Sequence, residues 1–497
     1  MQLLSLVNFE FNHMMKYYFL AAALLLSSIT FAQKAPKADK NKAAIINNLE
    51  AQYDHYKEIS HQIWEWSEVG YKEVKSSALL QKILTDAGFQ VEAGIAGMPT
   101  AFVATWGTDG PIIGILAEFD ALPGLSQTAS TSKEVDPNRD AGHACGHHLF
   151  GTASVAAAIE LKNELEKTGK KAVLKVYGTP AEEGGSGKVY LTRDGFFQGV
   201  DVVLNWHPGD VNNSNLNTSL ANITAKFRFR GISAHAAVAP EQGRSALDGV
   251  ESMNYMVNMM REHVPSDARI HYVITQGGKA PNVVPDFAEV YYYARHVDPE
   301  IVKNIFSRIV KASEGAAMGT GTTVEHEIIG GVYNLLPVES LARMMQKNLA
   351  LVGGVTYTAE DMAFGKAIQS TLMGTKLPLL TSAAEVEPFS VDSRKGGSTD
   401  VGDVSWAVPT VGARIATWVP GVPSHSWQAV SCGDNEVGYK GMMVAAKTMA
   451  TMGWELINNP VAIVAARKEW LDLRGPDYVY VPLIGNRKPA LNYRDNN

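Results

Sequence analysis

The sequence predicts a two-part α/β protein: a mostly parallel sheet flanked by helices, interrupted by a smaller α+β unit. Three observations carry that expectation. First, apolar runs that read as buried strands end at an acid or a histidine three times. These are Pro111 to Ala117 before Glu118-Phe119-Asp120, Lys171 to Tyr177 before Glu182-Glu183, and Asp201 to Trp206 before His207. Open α/β sheets place their sites at the carboxyl ends of such strands. Second, near Asn222 the pattern changes to one-sided alternation, with Ile223, Ala225, Phe227 and Phe229 separated by polar residues, as in an antiparallel strand with one wet face. Third, 497 residues exceed what one hydrophobic core usually serves, and metal-ligand residue types resume at His425, beyond the interruption.

Taken in order, the chain opens with Lys16, the apolar run Tyr17 to Ile29 and the small-x-small site Thr30-Phe31-Ala32. This reads as a secretory signal over residues 1–32, too short for a membrane span, and residues 1–13 read as an upstream extension before Met14 or Met15. Export would place the protein in the periplasm or outside the cell, with no membrane anchor after cleavage. Residues 33–42 are charged and contain proline, and read as a linker. Helical spacing then runs from Ala43 to Trp66 and from Ser76 to Ala87, where Gly88 ends it. Strands are expected at Thr100 to Trp106 and in the apolar runs named above, and an alanine-rich helix at Gly151 to Leu165. The inserted unit, 222–331, reads strand, helix, two strands, helix, strand. The catalytic part is therefore expected over 43–221 and 332–497, closing with a helix from Glu436 to Ile457.

Composition bounds the function. Apolar residues are 46% and charged residues 19%, the balance of a folded globular protein. The net charge is −7 and no long basic run occurs, so nucleic acid is not an expected partner. Two cysteines, Cys145 and Cys432, exclude a disulfide scaffold; Cys432 reads as a free structural thiol.

The chemistry centres on Gly142-His143-Ala144-Cys145-Gly146-His147-His148. A lone Cys-Gly-His is as often a buried thiol beside ordinary histidines. Here Glu182-Glu183, His207 and His425 extend the same chemistry downstream, and thiolate, imidazole and carboxylate together suit zinc and similar ions. Cys145, His147, Glu183, His207 and His425 could serve a pair of ions with positions left open for water and substrate. Glu182 is placed to move protons between the water and the leaving amine. Asp120 is expected either on the metal or fixing a metal-bound histidine.

Five motifs then carry a resemblance: Asp120-Ala121-Leu122-Pro123, His143-Ala144-Cys145-Gly146-His147, Pro180-Ala181-Glu182-Glu183-Gly184-Gly185, His207-Pro208 and Ser233-Ala234-His235-Ala236-Ala237. From about residue 43 onward the chain resembles the two-metal amidohydrolases that include aminoacylases, glutamate carboxypeptidases and auxin-conjugate amidohydrolases. The stretches Leu122 to Gln127, Gly243 to Asp248, Gly396 to Asp403 and Ser424 to Trp427 place the likeness in the branch acting on acylated glutamates.

The resemblance implies hydrolysis of N-acyl amino acids, an aminobenzoyl-glutamate-like substrate fitting best. It implies two divalent ions, zinc or manganese with cobalt or nickel as further candidates, on Cys145, His147, Glu183, His207 and His425. It implies Glu182 as general acid/base, and Asn282 and Arg295 as the clamp for the substrate's free carboxylate. His235 would reach the partner protomer's site, in a homodimer formed through the inserted unit or a heterodimer with a paralogue. His148 departs from the family pattern, which has Asp or Asn there, and His143 and His148 are expected behind the ligands rather than among them. Two alternatives keep part of the machinery: a dipeptidase or other aminoacyl-conjugate hydrolase, and a non-catalytic metal-stabilised partner subunit. A serine hydrolase does not fit, because no Gly-x-Ser-x-Gly turn accompanies these acids.

Overall fold

The computed structural model describes residues 39–395 and 397–495. The expected signal segment 1–32, the extension 1–13 and all of the expected linker up to residue 38 lie outside the described residues. The linker's last residues differ from expectation, for Lys40–Ala51 is already helix α1. The continuous helix expected to Trp66 is broken at Gln52 (φ −101°, ψ 12°), and α2 is Tyr53–Trp66. It buries Tyr56, Ile59 and Ile63, as helical spacing predicts, but Trp64 rather than Trp66, which with Tyr53 is half-buried. Helix α3 is Val74–Asp86.

The large sheet is built from β1 (Gln90–Ala93), β2 (Phe102–Trp106), β3 (Ile112–Ala117), β4 (Val173–Gly178), β5 (Val202–Gly209) and, far downstream, β10 (Thr410–Ala416). Its order is β1-β2-β4-β3-β5-β10. The run β4-β3-β5-β10 is parallel, whereas β1-β2 and β2-β4 are antiparallel. Five of the six residues of β3 are buried, which is why its sequence is an unbroken apolar run.

Helix α4, expected from Gly151, begins earlier and spans His147–Thr168. Gly146 sets that start with φ +74°, and a Cβ there would meet Pro208 at 2.8 Å, so only glycine fits. Helix α12 (Glu436–Ile457) packs on α4. A Cβ on Gly453 of α12 would meet Leu161 of α4 at 2.6 Å, so the two helices approach more closely than larger residues would allow. Helix α5 is Gly187–Arg193. A last helix, α13 (Pro460–Arg474), had no counterpart in the sequence reading.

Between β5 and β10 the chain forms a second sheet from β6 (Ala221–Arg230), β7 (Arg269–Gln276), β8 (Phe287–His296) and β9 (Thr323–Val332), in the order β7-β8-β6-β9, antiparallel throughout. One face of β6 buries Ile223, Ala225, Phe227 and Phe229 in one apolar cluster with residues of helices α6 (Ala246–Met260) and α7 (Pro299–Thr320). The other face carries Arg228, which bonds Glu289 at 2.7 Å and Glu327 at 2.9 Å. The chain returns to the large sheet through α8 (Glu339–Val352), α9 (Ala359–Gln369) and α10 (Val401–Ala407), and α11 (Trp427–Gly433) precedes α12. Among the described residues no helix is long and apolar enough to cross a membrane.

Candidate metal centre

The parallel strands β3, β4, β5 and β10 end at one rim, and each brings a piece of a cluster to it. β3 leads into Glu118 and Asp120, β4 into the loop of Glu182 and Glu183, β5 contains His207, and β10 is followed by the loop bearing His425. Cys145 and His147 arrive from the side, on either side of Gly146 where α4 begins.

The loop after β4 is unusual. Ala181 (φ 57°), Gly184 (φ 87°) and Ser186 (φ 61°) all lie in the left-handed region within six residues. Two of them are not glycine, at about 1–2 kcal/mol each, a strain that persists only where the surroundings over-determine it. Those surroundings are specific. Ala181 N donates to Glu73 at 2.8 Å, Glu183 N donates to Asp120 at 2.9 Å, and the Tyr71 hydroxyl donates to the Gly185 carbonyl at 2.7 Å. His425 is also left-handed, φ 58°, and its N–H donates to the Ala144 carbonyl at 3.0 Å, joining its loop to that of Cys145.

Three overlapping groups of ligand-type residues result: Cys145 with His147 and His207, Cys145 with Glu183 and His425, and His147 with Glu182 and Glu183. Within each, the ligand atoms lie within 4.8 Å of one another. Cys145 Sγ is 3.5 Å from His207 Nε2, and His425 Nε2 is 3.1 Å from Glu183 Oε1. His147 Nδ1 is engaged by Asp120 at 2.9 Å and His207 Nδ1 by the Pro208 carbonyl at 2.8 Å. Each ring is thereby fixed at Nδ1, with Nε2 turned to the other groups of the cluster, toward Glu118 in His147 and Cys145 in His207. Of the two roles expected for Asp120, its contacts suit the second, for both carboxylate oxygens are taken by His147 and the Glu183 backbone.

The groups of the cluster act strongly on one another's charge. Burial opposes ionisation of Cys145, yet His207 and His147 pull its thiol well below the usual range. Burial likewise disfavours the charged form of His147, but Cys145, Glu118 and Asp120 raise it well above the usual value. His425 is held up to about 10 by its bonds to Cys145 and Glu183. Burial, with the charges of Glu183, Glu118 and Asp400, pushes Glu182 well above the ordinary carboxylate range. His147 Nε2 and Glu183 Oε1 are buried and make no well-aligned hydrogen bond, each having only an ion-pair contact at 3.1 Å, with Glu118 and His425 respectively, and imperfectly paired buried atoms are expensive unless something else satisfies them. Thiolate, imidazole and carboxylate donors in such an arrangement fit divalent metal ions.

His143 and His148 stand behind the cluster and belong to none of these groups. Their Nε2 atoms donate to the carbonyls of Ile63 and Gly433, each at 3.1 Å, and their rings lie 4.7 Å apart. Burial holds both neutral, His143 down to about 3 and His148 well below its usual value.

Sequence reasoning gave no role to three neighbouring residues. Lys188, fully buried, donates from Nζ to Glu118 at 2.7 Å and to Asp400 at 2.8 Å, and its backbone N–H donates to the other Asp400 oxygen at 2.9 Å. The second Glu118 oxygen lies 3.1 Å from His147 Nε2. The only local signal was Glu118 within an otherwise apolar strand end.

The remaining expected residues are on the second sheet. His235 is exposed and pairs across an antiparallel bridge with Val283, next to exposed Asn282, whose carbonyl accepts from Ala236 N at 3.0 Å. Arg295, near the end of β8, sits 5.0 Å from the Tyr293 ring centroid with its Nε buried and unpartnered. The structure brings His235 and Asn282 together. Among the described residues, neither they nor Arg295 make a hydrogen bond or ion pair with the cluster.

A parallel-sheet rim of thiolate, imidazole and carboxylate ligands, with a second sheet inserted into the chain, defines a metallohydrolase of the peptidase and amidohydrolase kind. The comparisons agree. Residues 220–319 match the model described as a peptidase dimerisation domain. The chain is 38% identical over 468 residues to one of the subunits of the p-aminobenzoyl-glutamate hydrolase of Escherichia coli, covering 89% of this chain and 97% of that one. It is 28% identical to the Xaa-Arg dipeptidase of Mus musculus, covering 83% of this chain and 88% of that one. Among solved structures, a dinuclear metal-binding peptidase of the M20 family from Bacillus subtilis shares the fold, with TM-score 0.55, 16% identity and coverage of 84% and 99%. This chain belongs to the M20 family of metallopeptidases and amidohydrolases.

Proposed function

We propose that this protein hydrolyses the amide bond of N-acyl amino acids, with an acylated glutamate of the aminobenzoyl type as its substrate. The observation that carries the reading is the joint presence of the five-ligand cluster and Glu182 beside it. A chain kept only for binding needs no acid/base next to its metal. Support for the substrate comes from the 38% identity to a subunit of p-aminobenzoyl-glutamate hydrolase.

In this reading Cys145, His147, Glu183, His207 and His425 hold two divalent ions, zinc or manganese fitting the donor set best. Bound ions of this kind make a water nucleophilic near neutral pH and polarise a carbonyl. The chain's own residues do the rest. Glu182 takes a proton from the attacking water and returns it to the leaving nitrogen. Asp120 holds His147 in one tautomer and fixes the Glu183 backbone. His235 supplies a donor to the developing oxyanion of the partner protomer's site, and Asn282 and Arg295 hold the free carboxylate, a charge-assisted contact that orients rather than breaks bonds. Assembly is through the second sheet, with a copy of the chain or a paralogue, and residues 1–32 direct export.

Metal-reconstituted protein, screened alone against N-acyl amino acids including 4-aminobenzoyl-glutamate, tests this. Hydrolysis is expected. Silence toward every acyl amino acid with either metal would refute it. A second reading, cleavage of dipeptides, is favoured by the similarity to the Xaa-Arg dipeptidase, and a panel of dipeptides in the same screen separates the two. Cys145→Ser is expected to lose metal on dialysis, because a thiolate is replaced by a poor ligand; full retention would remove Cys145 from the ligand set.

A further inference from the structure

After α13 the chain runs on to residue 495 without regular helix or strand, yet it is neither loose nor remote. Tyr478 packs on Trp406 with ring centroids 4.8 Å apart, and the Tyr480 hydroxyl donates to Asp403 at 2.6 Å. Leu483 is buried in the apolar core of the second sheet while its neighbour Ile484 is buried in that of the large sheet, so adjacent residues staple the segment to both. Arg487 donates to the carbonyls of Ile328, at 3.0 Å, and Ile329 on β9. Arg193 donates to the Arg487 carbonyl at 2.6 Å.

Held in this way, the segment ends on the loop that carries Glu182 and Glu183. The Tyr493 hydroxyl donates to the Glu183 carbonyl at 2.9 Å, and Arg494 Nη2 donates to the same oxygen at 2.5 Å. The Arg494 guanidinium lies over the Tyr493 ring, 4.6 Å from its centroid, and the Tyr493 ring meets Tyr71 edge-on at 5.6 Å. Tyr71 in turn donates to Gly185 of that loop. Lys72 closes the arrangement on Asp495 at 2.8 Å. The chain also makes room for it: a Cβ on Gly70 would meet the Tyr493 hydroxyl at 2.1 Å.

We infer that the C-terminal segment is part of the working site, and that Tyr493 and Arg494 are positioning residues for Glu182 and Glu183. The inference rests on the metal-site reading above and adds who holds the ligand loop in place. The loop has three left-handed residues in six and returns to a relaxed backbone unless held. Asp120 holds the Glu183 amide and the tail holds the Glu183 carbonyl, so both peptide groups flanking this residue are fixed. Fixing them fixes the direction of the Glu183 carboxylate toward His425 and of its neighbour Glu182. Neither tail residue is placed on the substrate or the reacting atoms, and their effect travels through the backbone.

The test is the full-length chain carrying Tyr493→Phe, Arg494→Ala, both together, or Arg494→Lys. Asn492→Ala, an exposed neighbour outside the machinery, serves as control. Metal retained per chain after dialysis against a dilute chelator is measured first, followed by kcat and KM with saturating metal, and by thermal unfolding. The double variant is expected to retain metal at least tenfold more weakly and to lose tenfold or more in kcat, with KM and the unfolding midpoint near those of the control. Arg494→Lys should recover part of the metal retention, because a cationic donor is restored. Metal retention is read without substrate, so a wrong substrate assignment cannot mask the result. Wild-type metal retention and kcat in the double variant would overturn the inference. So would a loss that tracks the unfolded fraction, which would make the tail a structural brace only.

Discussion

The two sheets of this molecule carry their candidate residues in opposite ways. On the rim of the large sheet, Cys145, His147 and Asp120 are buried, each is held by a neighbour, and one chain assembles the whole cluster. On the second sheet, His235 and Asn282 are exposed, and Arg295 keeps a buried Nε with no partner. The first is a finished construction. The second presents groups ready for contacts that one chain does not make. Candidate ligands for a shared ion must be fixed to a fraction of an ångström, and even the exposed His425 is held, by its backbone bond to Ala144 and its contact with Glu183. Groups proposed to meet a substrate or another protomer must stay reachable, and His235 and Asn282 are.

That contrast can be attacked from its strongest point downward. Glu182→Gln should keep its metal and lose about 10²–10⁴-fold in kcat, the usual worth of acid/base help. Metal analysis beside a rate measurement checks it, and loss of metal with an unchanged rate per bound ion would make Glu182 a ligand. His235→Ala should lose about 10²–10³-fold, the cost of one oxyanion donor. Mixing it with Glu182→Gln and allowing protomers to exchange should restore activity, because some mixed dimers contain one intact site. A dimeric but silent mixture would place the work of His235 within its own chain or nowhere.

Arg295→Ala should lose about ten- to a hundredfold in kcat/KM on free acids, since an unpaired charged contact is worth about 1–3 kcal/mol. The matching α-amide, already poor for the wild type, should barely change, and equal losses would mean that Arg295 supports the fold instead. The smallest effect concerns assembly. Helix α6 exposes Tyr255, Met256 and Met259, and the edge strand β7 exposes Tyr272, Val273 and Ile274. Val273→Lys should weaken self-association by about tenfold, or 1.4 kcal/mol, because lysine on an edge strand opposes pairing. Sedimentation at several concentrations would show it, and an unchanged dimer would move the interface elsewhere.

What could be read in the sequence follows the range of the interactions involved. Met253, Met256, Met259 and Met260 have helical spacing that reads as core or dimer packing, and along α6 Met253 and Met260 are buried while Met256 and Met259 are exposed. The rim strands were legible because burial on both faces writes an unbroken apolar run, and Cys145, His147, Glu182 and Glu183 because residues of this chemistry lie close together in the chain. Lys188 and Asp400 were not, since the two are 212 residues apart and a single lysine or aspartate in a helix or loop has no local mark of burial. Glu73 was missed for the same reason: its bond to the Ala181 amide spans 108 residues. The early start of α4 was missed because its signal is one left-handed glycine rather than a polar cap.

The connection between the two sheets has a consequence for how the molecule is made. The strands that begin and end the second sheet, β6 and β9, lie side by side, with Asn222 opposite Val332. Every strand of that sheet comes from one uninterrupted stretch, whereas the edge of the large sheet needs Thr410 to find Val203. On a ribosome the inserted sheet therefore has all its strands long before the large sheet has its last one, and contiguous units fold as they emerge. His425 is translated later still, so the candidate cluster can be completed only when most of the polypeptide has been made. Nascent chains stalled near residue 380, so that β9 has left the exit tunnel but β10 has not been made, should show a protease-resistant 221–332 fragment and a still-digestible first third. Equal digestion of both would mean that the inserted sheet waits for the rest.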